Sequence, residues 1–159
     1  MSEPEPMLGA TPLAPDELEG LIPVLNSRAD LNEFEQRNIA DAHRKLLRRA
    51  PRWPDLVSIK GLLRIHRLMF SHTWRWAGEI RHTEKNLGSP RWRISFDLQQ
   101  RCESVRWWIE HETMPPGEIA MRFHHALVVV HPFANGNGRH ARLVADLLVM
   151  DLGGSPFAW

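Results

Sequence analysis

The sequence predicts a mainly α-helical bundle with one small β-hairpin, and three observations carry that prediction. Apolar residues recur at the three-to-four spacing of a helix through most of the chain from about 29 to 151. Two short runs, 79–84 and 91–96, flank the turn-forming Asn86-Leu87-Gly88-Ser89-Pro90 and read as strands. No repeat or low-complexity tract divides the chain, and its 159 residues fit one domain that buries roughly two-thirds of its unfolded surface.

Taken in order, residues 1–26 form an arm, rich in proline and poor in periodicity, expected to lie over the domain formed by 27–159. Within it, Asp16 to Leu21 can make one helical turn. Ser27 or Asp30 can cap the next helix, with Glu33 as a capping-box partner for Asp30. Leu31, Phe34, Ile39, Ala42 and Leu46 then mark a helix over about 29–49, ended by Pro51 and Pro54. Asp55 is the expected cap of a helix over about 56–71, whose apolar face is Ile59, Leu62, Leu63, His66, Met69 and Phe70. On that face His66 reads as a hydrogen-bonded core histidine rather than a ligand. The hairpin follows, with an edge open to another chain's strand. Leu98, Cys102, Val105 and Ile109 mark a helix over about 97–112, and a helix opening at Glu118 buries Ile119, Phe123, Ala126, Leu127 and Val130. The last helix is apolar almost all round from Leu143 to Met150, so it should run through the middle of the domain until Gly153-Gly154 stop it.

Composition excludes some functions. A net charge of +1 gives no case for nucleic acid or a membrane surface as partner, and no apolar run approaches the ~20 residues of a membrane span. The single cysteine, Cys102, cannot pair within the chain, and the start lacks a secretory pattern, so a cytoplasmic protein is expected. Lys45, Lys60 and Lys85 are the only lysines among 20 basic residues, the rest being arginine, a planar donor suited to phosphate. There are seven tryptophans and no tyrosine.

Function concentrates in His131-Pro132-Phe133-Ala134-Asn135-Gly136-Asn137-Gly138-Arg139-His140-Ala141-Arg142, between two apolar helical segments. Gly136-Asn137-Gly138 can turn successive N–H groups toward an anion, and a helix beginning at Gly138 or Arg139 adds its positive end. A phosphate P-loop is disfavoured, since no Lys-Ser/Thr follows and the stretch comes after a helix. Zinc held by His124, His125, His131 and His140 lacks any recognised ligand spacing. A nucleotide phosphate held by the loop, with His131 as base, accounts for the most residues.

This stretch resembles the signature of the Fic family, H-x-F-x-(D/E)-G-N-G-R-x-x-R, at every defined position except Asn135. Trp74-Arg75-Trp76-Ala77-Gly78-Glu79-Ile80-Arg81 is similar to the W-A-G-x-I-R run before the family's hairpin flap, and Leu31 to Leu47 resembles its first helix. The amino-terminal Thr11-Pro12-Leu13 to Ile22-Pro23, with Leu31-Asn32-Glu33-Phe34-Glu35-Gln36, further resembles the subgroup called mobile mystery protein B. The resemblance implies a Fic-like helical bundle with a small β-hairpin flap and transfer of AMP from ATP to a Ser, Thr or Tyr hydroxyl of a target protein. His131 would then be the general base, and Asn137, Arg139 and Arg142 would act with it. Gly136, Asn137, Gly138, Arg139 and Arg142 would bind the nucleotide, and Asn135 would stand at the Mg²⁺ position. An amide there should hold the ion less tightly than a carboxylate. The target would dock on the hairpin near 79–96. Doc-like phosphorylation is an alternative, although the related pattern has lysine where this chain has Gly138. A catalytically weak nucleotide-binding module, partnered by an antitoxin-like regulator, is another. The family's inhibitory helix, (S/T)-x-x-x-E-(G/N), finds only its last two positions, in Glu19-Gly20, with Pro15 in place of the hydroxyl residue.

Overall fold

The computed structural model describes residues 13–159, so the first 12 residues of the expected arm, including Thr11 and Pro12 of the subgroup resemblance, lie outside it. Among the described residues seven α-helices occur, and no strand does.

Pro15 opens α1, Pro15–Glu19, at the position where a missing N–H costs nothing. Ser27 rather than Asp30 caps α2, Arg28–Arg49, its hydroxyl accepting from Asp30 N at 3.1 Å. The helix expected over about 56–71 starts later, at Ile59, and a separate turn of helix precedes it. Pro54 starts a short α3, Trp53–Leu56, and Ser58, not Asp55, caps α4, Ile59–Phe70, by accepting from Gly61 N at 3.0 Å. The helices can abut because Gly61 has no side chain: a Cβ there would stand 1.7 Å from the Asp55 carbonyl oxygen.

The expected hairpin at 79–96 is absent. Residues 80–90 are irregular, and Arg91–Arg93 form a 3₁₀ turn leading into α5, Ile94–Glu110. Two physical causes are visible. Ile94, Leu98, Cys102 and Val105 are all buried at helical spacing, so Ile94 belongs to the α5 stripe, while Trp92 and Phe96 are left exposed. The loop's carbonyls are also satisfied by a side chain instead of a partner strand. The Arg81 guanidinium, itself buried, donates to Thr83 O (2.8 Å) and Ser89 O (2.6 Å), and the Glu84 carboxylate accepts from Arg91 N (3.1 Å). Extended pairing does occur further back: Ile22 N donates to Thr73 O and Arg75 N to Gly20 O, an antiparallel bridge that ties the arm to the Trp74 turn.

Helix α6, Pro116–Val130, packs between α5 and α7, Asn137–Asp151, while α2 packs on α4. As its composition predicts, α7 is central, with Ala141, Leu143, Val144, Ala145, Leu147, Leu148 and Val149 all buried. No described helix is long and apolar enough to cross a membrane.

Two histidines sit in this core. His66 is fully buried, its Nδ1 accepting from Gly78 N (2.9 Å) and its ring stacked 3.7 Å from Phe133. His140 reaches Leu62 O at 2.9 Å. Burial drives the His66 imidazole well below its ordinary value and takes that of His140 down to about 4. Unfolded, each titrates near 6.5, so below roughly pH 6.5 the unfolded chain binds more protons than the folded one. Stability should therefore be complete above that pH and fall as pH drops toward 4, His140 contributing roughly 3 kcal/mol of the loss. Urea midpoints between pH 7 and pH 4 check this. His140→Gln should flatten the dependence even if it lowers the plateau.

Candidate functional site

The loop between α6 and α7 is held in place by side chains. Helix α6 ends at His131, whose backbone is left-handed (φ 53°) and whose N–H still bonds to Leu127 O. Arg81 clamps the exit, its Nε donating to His131 O at 2.7 Å and its backbone N to Pro132 O at 2.9 Å. Asn137 then closes the turn: its Oδ1 accepts from Phe133 N and its Nδ2 donates to Phe133 O, both at 2.9 Å. Phe133 is thereby fixed under the loop against His66, whose Nε2 donates to Asn135 O at 3.0 Å. The direction of that last bond follows from His66 Nδ1 accepting from Gly78.

Gly136 takes the left-handed conformation (φ 78°) that lets α7 begin, and a Cβ there would strike the Phe70 ring at 2.5 Å. No side chain caps α7, so the N–H groups of Asn137, Gly138 and Arg139 have no intrahelical acceptor. Gly138 is ordinary helix. Its use is space, since a Cβ there would meet only Arg142, at 3.7 Å. The expected anion cradle is thus one left-handed glycine followed by a helix N-terminus, with the Asn137 amide committed to closing the turn.

Asn135, Gly136, Asn137 and Arg139 come together with residues from far away in sequence. Arg139 NH1 meets Glu35 of α2 at 2.7 Å, its NH2 approaches Asn135 Oδ1 at 3.4 Å, and its guanidinium stands 5.0 Å over the Phe70 ring. Arg142, one turn on, is exposed and has no ion pair among the described residues. His131 is half-buried, not sealed in the core. Burial, with the charges of Arg81 and Lys85, lowers its imidazole below the ordinary value and keeps it neutral, the form that accepts a proton.

A carboxylate from the arm also reaches the loop, but it is Glu17. Glu19 is exposed and makes no ion pair among the described residues. Positions 17 and 19 lie about 200° apart around a helix, so only one can face inward. Glu17, 5% exposed, accepts from Asn135 Nδ2 (3.0 Å) and from Ala14 N (2.6 Å) and lies 3.7 Å from Lys85. Asn135 Oδ1 accepts from Gly136 N at 2.6 Å. In this arrangement residue 135 does not fit a divalent cation: its oxygen faces an N–H and a guanidinium, and its nitrogen faces the carboxylate. Glu17, Glu35, Arg81 and Lys85 had no site role assigned from sequence. The one available signal was Arg81, which closes the W-A-G-x-I-R run.

A model of the Fic/DOC family matches residues 56–149. Among curated relatives, the protein adenylyltransferase Fic of Culex quinquefasciatus is 34% identical over 106 residues, 64% of this chain and 21% of the relative. Protein adenylyltransferase fic-1 of Caenorhabditis elegans is 36% identical over 110 residues, again 64% and 21%. The chain thus spans about a fifth of the length of these relatives. Among solved structures, Fic-1 from C. elegans superposes with a TM-score of 0.65 at 30% identity, covering 79% of this chain and 40% of that one. BepC from Bartonella tribocorum superposes with a TM-score of 0.65 at 22% identity, covering 79% and 69%, a likeness of fold.

The His131 environment can be read directly by following its ring proton resonances against pH. The midpoint should lie below 6.5. Lys85→Met removes one of the charges that disfavour imidazolium, so it should move the midpoint upward.

Proposed function

Because the chain belongs to the Fic/DOC family, we propose that it transfers AMP from ATP, or another nucleoside monophosphate, to a Ser, Thr or Tyr hydroxyl of a protein target. The observation that carries this proposal is a neutral, half-buried His131 at the end of α6 and, at the other end of the same turn, an uncapped α7 N-terminus that bears Arg139 and Arg142. The relatives named as protein adenylyltransferases support it.

The target hydroxyl oxygen attacks the α-phosphorus, the bond to the β-phosphate oxygen breaks, and pyrophosphate leaves. The hydroxyl proton passes to the His131 imidazole, which is neutral at pH 7. The N–H groups at the start of α7 meet the phosphates where negative charge grows, and Arg139 and Arg142, three residues apart on one helix face, reach toward the leaving group. Gly136 allows the approach by setting the turn, and Gly138 does so by leaving space. Mg²⁺ is the expected companion of ATP. Since Asn135 does not fit the ion as it stands, Mg²⁺ would be held by the nucleotide's own phosphate oxygens. The target segment meets the irregular loop over 79–93. Cytoplasmic residence belongs to the same proposal, in keeping with a buried thiol at Cys102 and an ATP co-substrate.

The orientation of Asn135 is the observation that favours a second reading, a nucleotide-binding module with little turnover and an antitoxin-like regulator as partner. Incubation of target lysates with α-labelled and γ-labelled ATP separates the two. Transfer predicts α-label in protein, lowered about 100-fold or more by His131→Ala. Label from the γ position alone would mean phosphorylation, and equal α-labelling by parent and His131→Ala would mean a binding module. The Glu17 carboxylate stands beside the proposed phosphate site, so Glu17→Gln should strengthen ATP binding several-fold in calorimetry by removing like-charge repulsion.

A further inference from the structure

Helix α2 carries two polar side chains on its buried face, and both are tied to the site's supports. Leu31, Glu35, Asn38, Ala42 and Leu46 are the buried residues, one helical turn after another. Asn38 braces the chain after α4, its Oδ1 accepting from His72 N (3.1 Å) and from the Thr73 hydroxyl (3.3 Å). Glu35, 6% exposed, is more costly to bury, because a carboxylate out of water must be paired. Its two oxygens have separate donors: Oε1 accepts from Trp74 Nε1 and Oε2 from Arg139 NH1, each at 2.7 Å. The buried Trp74 indole needs an acceptor here but not a charge, and the carboxylate's one ion-pair partner among the described residues is Arg139.

The Arg139 end of this contact is only partly enclosed. Its side chain is 34% exposed, against 8% for that of Glu35. Of the five N–H donors of a guanidinium, one goes to Glu35 and one makes a long contact to Asn135. The guanidinium is therefore anchored through NH1, and the side chain as a whole stays partly open to solvent. The Glu35 carboxylate cannot swing away with the arginine, because the buried indole of Trp74 holds its second oxygen.

We propose that Glu35 is a positioning residue for Arg139: it holds NH1 of the guanidinium so that the remaining N–H donors are presented to the polyphosphate of a bound nucleotide. The inference rests on the nucleotide-transfer reading and extends it to a residue 104 positions away in the chain. Fixing the arginine before the ligand arrives removes the ordering that a free side chain would undergo on binding. The same contact couples the nucleotide site to α2 and to the Trp74 turn.

Calorimetric titration of ATP into the parent, Glu35→Gln, Arg139→Ala and the double variant tests this. Losing the charged partner should weaken ATP binding about tenfold, the size expected for a hydrogen bond to a charged group. In the Arg139→Ala background, Glu35→Gln should add nothing, which a merely structural role would not predict. Glu35→Asp keeps the charge but shortens the reach, so it should bind with intermediate affinity; it also serves if Glu35→Gln fails to fold. Unchanged ATP affinity in both Glu35 variants overturns the proposal, as does a loss that simply adds to that of Arg139→Ala. Tighter binding overturns it too, by making Glu35 a competitor of phosphate. If the parent binds no ATP, the transfer reading falls along with it, whereas the other three failures leave that reading standing.

Discussion

The paired hydrogen bonds between the Asn137 side chain and the backbone of Phe133 are the constraint on which the site depends. A short turn between two buried helices has polar backbone groups to satisfy and no strand to satisfy them. One amide supplies a donor and an acceptor at the correct spacing, and the turn closes on itself. Phe133 is then pinned beneath, where it stacks on His66, and His66 in turn supports Asn135 O. Gly136 can then take its left-handed backbone angles against Phe70. The N-terminus of α7 is left without a side-chain cap as a result.

Around this turn the electrostatics are arranged by residues that carry no part of the motif. Arg81 binds three carbonyls, two in its own loop and one at His131, so a single cation joins the loop to the end of α6. Burial, helped by the charges of Arg81 and Lys85, keeps the His131 imidazole unprotonated. Two carboxylates balance the cations: Glu17 from α1 beside Asn135, and Glu35 from α2 beside Arg139. Each is nearly buried and each has two donors, as burial of a charge requires. An aspartate at position 135 would set a second negative charge against Glu17 in place of a donor. The amide at 135 and the carboxylate at 17 are complementary features of this chain.

Much of the bundle was legible in the sequence because helical periodicity reports burial on one face. The bounds of α2, the central place of α7 and the core position of His66 all follow from apolar spacing. Membership of the family was legible from the twelve residues His131 to Arg142, and the family model covers 56–149. Local capping was less legible. Ser58, not Asp55, begins α4 because Gly61 allows a close approach that spacing does not encode.

The hairpin and the arm glutamates show where a one-dimensional pattern stops. Trp92, Ile94 and Phe96 alternate as a strand would, yet Ile94 also falls on the α5 stripe, and burial in the bundle selects the helical alternative. Glu19-Gly20 fills the last two positions of the family's inhibitory pattern, but which arm glutamate points inward depends on the phase of a five-residue helix docked against Trp76 and Asn135. Spacing along the chain sets which residues share a helix face, and that much can be read before folding. Contacts across 104 and 118 residues arise only when helices meet, and those contacts assign Glu35 to Arg139 and Glu17 to Asn135.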